Sequence, residues 1–338
     1  MKKGVLKKFL EILNIENMTL GEMENWITQV WEPAHQLELI TDDVKEDPIF
    51  FWFADFIQTL NDVTTILGIG KGLEQSIEAA GDVGEKFYKL RSMSNTRFAA
   101  YFEGSISNFV KRMETNISAL QKRTESSDKK VKDKAASLLR KICNKQFFLL
   151  LHGILDIYRL LGGTSSLLQT VQQFPWEIPK RQSEFLNQLK KMQNLKISVK
   201  EDIEEVHEVD QSLWPMLGEH IEDVMKDRYV SIQTVLTHRN RMGRSMDDIP
   251  ATQSQSVLVT VENRLTSLVS ALVMNLEKRL ADTPTPEVIK EAGRCLDLED
   301  ILQNEETTEV KNEREKSLKN LMRKANYEYS DIKKIMKQ

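Results

Sequence analysis

The sequence predicts a mainly α fold, and three observations carry that prediction. Glycine and proline are sparse, at 14 and 8 of 338 residues, which favours long helices over a turn-rich β architecture. Apolar residues recur three and four apart over long stretches, the spacing that gathers them on one helical face. Nowhere do apolar runs alternate with helical pattern in the order of a doubly wound sheet. The chain is longer than the roughly 250 to 300 residues at which a single core stops growing, so more than one packed part is expected. With 40% hydrophobic and 29% charged residues it has too much apolar content for disorder.

Taken in order, "MKKGVLKKFLEIL" is basic and amphipathic, but it carries Glu11, lacks Arg and Ser, and has a short apolar run; a targeting peptide is not expected. "WEPAHQLELITDD", Trp31 to Asp43, sets a proline turn before a helix pattern. "DPIFFWFADFI" is strongly apolar yet far shorter than the roughly 20 residues of a membrane span. "GIGKG", Gly68 to Gly72, fits neither phosphate-loop nor dinucleotide glycine spacing and is expected to connect helices. From Phe98 onward, Ile106, Phe109, Val110, Met113, Ile117 and Leu120 make one stripe. "KRTESSDKKVKDKAASLLRK" follows, readable as a phosphate-contacting basic patch or as a solvated helix pair turning at Ser126-Ser127. "ICNKQFFLLLHGILDIYRLL" is apolar nearly all round and belongs at the centre of a bundle, with Gly162 and Gly163 expected to end it. Helical pattern resumes from Arg181 to about Leu195, and again on both sides of Pro215. Arg241 to Ser256 reads as an exposed connector, and Val257 to Leu280 as an almost ideal amphipathic helix. The tail from Asn304 is dense in charge, with a thin seam at Leu318, Leu321 and Met322.

The formal net charge of −4 supplies no global positive field, so any nucleic-acid contact must be local. Cys143 and Cys295 form neither a disulfide framework nor a metal knuckle, which points to a reducing compartment. The sequons at Asn17 and Asn116 then carry no meaning. His35, His152, His207, His220 and His238 make no two-histidine metal spacing, and His152, in an apolar helix, is expected to be buried and satisfied. A serine nucleophile elbow is missing, and acidic pairs such as Asp42-Asp43 and Glu204-Glu205 lie on polar segments. No catalytic residue, metal, cofactor or small-molecule substrate is assigned.

Three stretches resemble parts of a known family. "WEPAHQLELI" is similar to the C-x-x-H-x-L-x-L segment of hAT-superfamily DNA transposases and the cellular proteins domesticated from them. "SNTRFAAYFEGSISNFVKRM" resembles the T-R-W motif and following helix of that family, and "LLHGILDIYRLLGGTSSLLQ" a later part of its helical insertion. The resemblance covers about residues 25 to 195. It implies a helical insertion-type bundle attached to a truncated, degenerate RNase H-like region. The corresponding parts are residues 1–95 as core remnant and junction, 96–303 as insertion-like domain, and 304–338 as charged helical tail.

Such transposases cleave DNA with an Asp, Asp, Glu set holding two divalent metals. Both aspartates are expected before residue 1, and neither the closing Glu nor the E-R-x-F-S motif is found, so the expectation is a non-catalytic chain. Glu32 stands at the family's cysteine position, His35 keeps the histidine as a positional marker, and Phe98 replaces the motif tryptophan. The resemblance implies nucleic-acid contact at Arg97 and Phe98, the first on phosphate and the second stacking on an unpaired base. Arg97 pairing locally while Phe98 starts its helix's apolar stripe remains the alternative. The expected function is a nuclear, chromatin-associated nucleic-acid interaction module. The alternative is a helical scaffold or adaptor acting through Val257 to Leu280 and the tail, with no DNA role. Expected partners are accordingly DNA, other proteins or a second copy of the chain, with no membrane.

Overall fold

The computed structural model describes residues 33–90, 99–169, 175–197, 209–225, 251–282, 285, 287–296 and 308–324; for 33, 100, 222–225, 251–256, 296 and 322–324 it describes the backbone alone. Among the described residues there are helices and connecting turns and no strand. The chain divides into two compact units, one made of Pro33–Val171 with Arg181–Asp282, the other of Met1–Glu32, Gln172–Lys180 and Thr283–Gln338.

The larger unit begins with α1, Pro33–Glu46, whose first residue is a proline that fits a first turn because its missing N–H has no partner there anyway. Ala34, Leu37, Ile40 and Val44 make its buried face. A 3-10 turn, Pro48–Phe50, is capped by Asp47, whose carboxylate accepts the Ile49 N–H at 2.9 Å. Then α2, Phe51–Gly68, buries Phe53, Phe56, Leu60, Val63 and Leu67. The glycine-rich stretch is a corner between helices, as its spacing predicts. Gly70 takes φ +51° as α3, Gly70–Val83, starts, and at Gly72 a Cβ would stand 2.0 Å from the Ile66 carbonyl oxygen.

The stripe from Ile106 to Leu120 is buried except at half-exposed Val110, but it is not one helix. It breaks at Arg112 (φ −122°, ψ 23°) into α4, Ala99–Lys111, and α5, Met113–Arg123. Arg112 is 2% exposed, its guanidinium 4.7 Å from the Phe87 ring centroid, and that burial turns the chain where an uninterrupted apolar period suggested continuity. On the neighbouring α3, Glu78 and Asp82 both hold Lys122 of α5, at 2.9 and 2.7 Å.

At the centre runs α7, Lys145–Leu168, packed against α4, α1, α6 (Lys129–Ile142), α9 (Pro215–Met225) and α10 (Ala251–Asp282). An all-round apolar helix can be accommodated nowhere else. Its glycine pair does not end it. Gly162 is buried, Ser165 is fully buried, and the helix continues to Leu168, so packing outweighs the roughly 1 kcal/mol that each interior glycine costs. At Gly153 a Cβ would meet Leu265 Cδ1 of α10 at 2.4 Å, so the bare glycine lets the Leu265 side chain lie against the α7 backbone. Residues 251–256, expected in a connector, belong to α10, whose Leu258, Val261, Leu265, Leu268, Leu272 and Leu276 are buried. Arg279 ties it to Asp43 of α1 at 2.6 Å. Buried Gln182 of α8, Glu177–Met192, donates to Gln36 of α1 at 3.0 Å. By length and composition α7 and the Val257–Asp282 part of α10 could each cross a membrane. In the bundle their apolar faces are packed on protein, 67% of the apolar window of α7 and 44% of that of α10 being buried.

In the smaller unit α11, Glu287–Leu296, packs on α12, Thr308–Lys324. Asn320 donates to buried Glu291 at 2.9 Å, and Trp176 lies against Gly293. The charged tail therefore has a partner face that its thin apolar seam did not announce.

Candidate nucleic-acid interface

The basic run predicted to turn at Ser126-Ser127 does so. Asp128 then caps α6, its carboxylate accepting the Lys130 and Val131 N–H groups at 2.8 and 3.4 Å. Ala135, Leu138 and Ile142 are the buried stripe of this helix. Its remaining surface carries Lys129, Lys130, Lys132, Lys134, Arg140 and Lys141 with Asp133 as the one acid inside the helix. Lys134 and Lys141 pair with Asp62 and Asp55 of α2 at 3.1 and 2.7 Å. Among the described residues no carboxylate pairs with Lys129, Lys130, Lys132 or Arg140. The chain is acidic overall, yet this one helix presents uncompensated positive charge to solvent.

The C-terminal end of α6 opens onto a cleft of about 430 Å³ formed with α2, the start of α7 and α10. Trp52, Phe56 and Phe147 line it with aromatic surface, and Arg140, Lys141 and Arg264 with charge; Asp55 is the carboxylate among its described lining residues. The Arg264 guanidinium sits 5.3 Å from the Trp52 ring centroid, a cation–π geometry, and has no carboxylate partner among the described residues. Burial without such a partner moves its pKa down from the ordinary arginine value. Asn144 caps α7 at the cleft, accepting the Gln146 N–H at 2.8 Å. The arrangement supplies flat π surface beside unspent cations. Among its described lining residues no hydroxyl is hydrogen-bonded to a basic side chain.

A second polar cluster lies on the other side of α7. His152 is 2% exposed and donates from Nδ1 to the Phe148 carbonyl at 2.8 Å, the satisfied burial its setting predicts. Burial above all, aided by His220 and Arg159 and opposed by the bond to Phe148, takes its pKa from 6.5 to about 3. The rings of His152 and His220 are 4.2 Å apart, and Phe148 touches both. One turn further, buried Asp156 accepts the Met216 N–H at 3.1 Å and the Leu217 N–H at 2.9 Å, capping α9 from another helix. Burial raises this carboxyl from 3.8 to about 6 against the pull of those bonds. Among the described residues no group of three histidine, cysteine or acidic side chains is placed to hold a metal.

Of the residues singled out by sequence, Glu32, Arg97 and Phe98 lie outside the described residues. His35 is on α1, 49% exposed, its Nδ1 3.2 Å from Glu38 Oε2, while its neighbours Ala34, Leu37 and Ile40 do the packing. The cleft residues were not singled out. Trp52, Phe56 and Thr59 recur at helical spacing inside "FFWFADFIQT", and that signal was masked by the overall apolarity of the stretch. Arg264 is a charged interruption in an apolar helix, and nothing local says which ring it will meet. No family model matches the chain, and no curated protein or solved structure matches it either.

Proposed function

We propose that the chain is a non-catalytic, hAT-transposase-derived module that binds nucleic acid in the nucleus, with the exposed face of α6 as its phosphate-contacting surface. The observation that supports this most is the set of cations Lys129, Lys130, Lys132 and Arg140, with no carboxylate partner among the described residues, on one helix of an otherwise acidic chain. Side chains held by carboxylates would have to give those up before meeting phosphate; these do not. Within 1–95, where the resemblance implies an RNase H-like remnant, the helices between Pro33 and Val83 make up most of the described residues, so the reading leans on the helical insertion rather than on the catalytic core. Binding to a hairpin-ended duplex is expected to weaken steeply with salt, by about 0.9 in log K per log salt for each phosphate neutralised. Replacing Lys129, Lys130 and Lys132 together by Gln lowers that slope by about 2 to 3. No binding at about 50 mM salt would overturn the reading.

An adaptor function is favoured by one observation, the exposed Ile49 and Phe51 at 74% and 71%. The α10 stripe is not available for it, because Leu258 to Leu276 is spent inside the bundle. A pull-down partner lost on deleting residues 304–338, with no binding to DNA, would select this second reading.

A further inference from the structure

We propose that the cleft at the end of α6 receives one unpaired nucleotide of a single strand, its base against Trp52 and Phe147 and its phosphate at Arg264 and Arg140. The inference rests on reading α6 as a phosphate track and adds to it a preference for single strands.

Three features carry it. The cleft, about 430 Å³, lies toward the small end of sites that enclose a small molecule, roughly 300 to 1,000 Å³, which suits one nucleotide and excludes a duplex. Its walls combine rings with uncompensated cations, the pairing that single-strand sites use because every base has a π face and every nucleotide a negative charge. An isolated inorganic anion would leave Trp52 and Phe147 unused; an apolar ligand would bury the Arg264 charge without a partner. Asp55, the acid on the opposing wall, is held by Lys141 at 2.7 Å, so its repulsion of a phosphate is offset. Finally, the unpaired cations of α6 lead away from the cleft. The helix is about 20 Å long, room for the phosphates of neighbouring nucleotides, which argues for a strand over a free nucleotide.

The test uses the full chain with three probes: a fluorescein-labelled 12-nucleotide oligothymidylate, a blunt duplex of the same length, and thymidine monophosphate as competitor. The single strand is expected to bind more tightly than the duplex. Trp52→Ala and, separately, Arg264→Gln are each expected to lower single-strand affinity about 10- to 100-fold while changing duplex affinity less than about 2-fold, and Trp52→Phe to restore most of the loss. Arg264→Gln, on another helix, keeps the test decisive should Trp52→Ala unfold. If every variant that stays folded binds the single strand like the parent, or loses duplex and single strand equally, the inference is overturned; salt-dependent duplex binding lost on the α6 lysine changes would then still stand for the phosphate track. Competition by the mononucleotide as strong as by the oligomer overturns the strand assignment. Binding to neither DNA at low salt sinks both readings.

Discussion

His152 and Asp156, one helical turn apart on α7, push stability in opposite directions as pH changes. His152 has a folded pKa of about 3 against 6.5 when unfolded, so the unfolded chain binds the extra proton; its contribution is complete above about pH 6.5 and is lost as pH falls toward 3. Asp156 has a folded pKa of about 6 against 3.8, so its contribution is complete below about 3.8 and is lost as pH rises through 6. Between pH 4 and 6 the two slopes oppose each other. Asp156→Asn is therefore expected to steepen the loss of stability on acidification in that window, and His152→Leu to flatten or reverse it; urea melts at pH 4.5, 5.5 and 7 read both. Gly153→Ala tests a different residue-level constraint. The added Cβ must displace Leu265, and overpacking of this kind costs about 1 to 3 kcal/mol. Because the clash is with one flexible side chain, Leu265→Ala in the same chain should make the Gly153→Ala change nearly neutral, a coupling that a double-mutant cycle measures.

At the scale of the element, capping by side chains fixes where helices start, and its loss should be felt locally. Asp128→Ala removes the acceptor for two N–H groups of α6 and is expected to cost about 1 kcal/mol. Asp156→Ala leaves the first N–H groups of α9 without a partner in a buried setting, an expected loss of about 1 to 3 kcal/mol, with hydrogen exchange rising in 215–225 before the rest of the bundle. These two caps also show what a sequence can and cannot disclose. The α6 cap is local: Asp128 precedes its helix, and the turn at Ser126-Ser127 was legible. The α9 cap is supplied from α7, and no local pattern around Trp214-Pro215 points to Asp156. The same distinction explains the helix ends. Gly162 and Gly163 read as a stop because propensity is local, and they are overridden because packing around Leu161 and Ser165 is not. Arg112 breaks a stripe whose period continues straight through it, for the non-local reason that Phe87 receives its guanidinium. The cleft follows suit: the cations of α6 were visible as a run, whereas the meeting of Arg264 with Trp52 depends on how α10 crosses α2.

For the whole molecule, charge placement matters more than charge total. A net charge of −4 supplies no overall attraction to polyanions, while α6 concentrates six of the cations on one helix. Binding should therefore fall off steeply with salt even though the isoelectric point is acidic, and titration at two salt concentrations separates this from a diffuse field. The arrangement of the bundle has a further outcome for how the chain is made. Helix α7 is apolar over most of its surface, and α10, one of its covers, is translated about 100 residues later. At about 5 to 20 residues per second the ribosome leaves the Leu265 side of Gly153 bare for roughly 5 to 20 s. During that interval the nascent chain carries α7 covered by α1, α4 and α6 but bare where α9 and α10 will pack, a natural client for a holdase. Truncation before Ala251 would make that condition permanent, so such fragments are expected to aggregate even though every residue of α7 is intact.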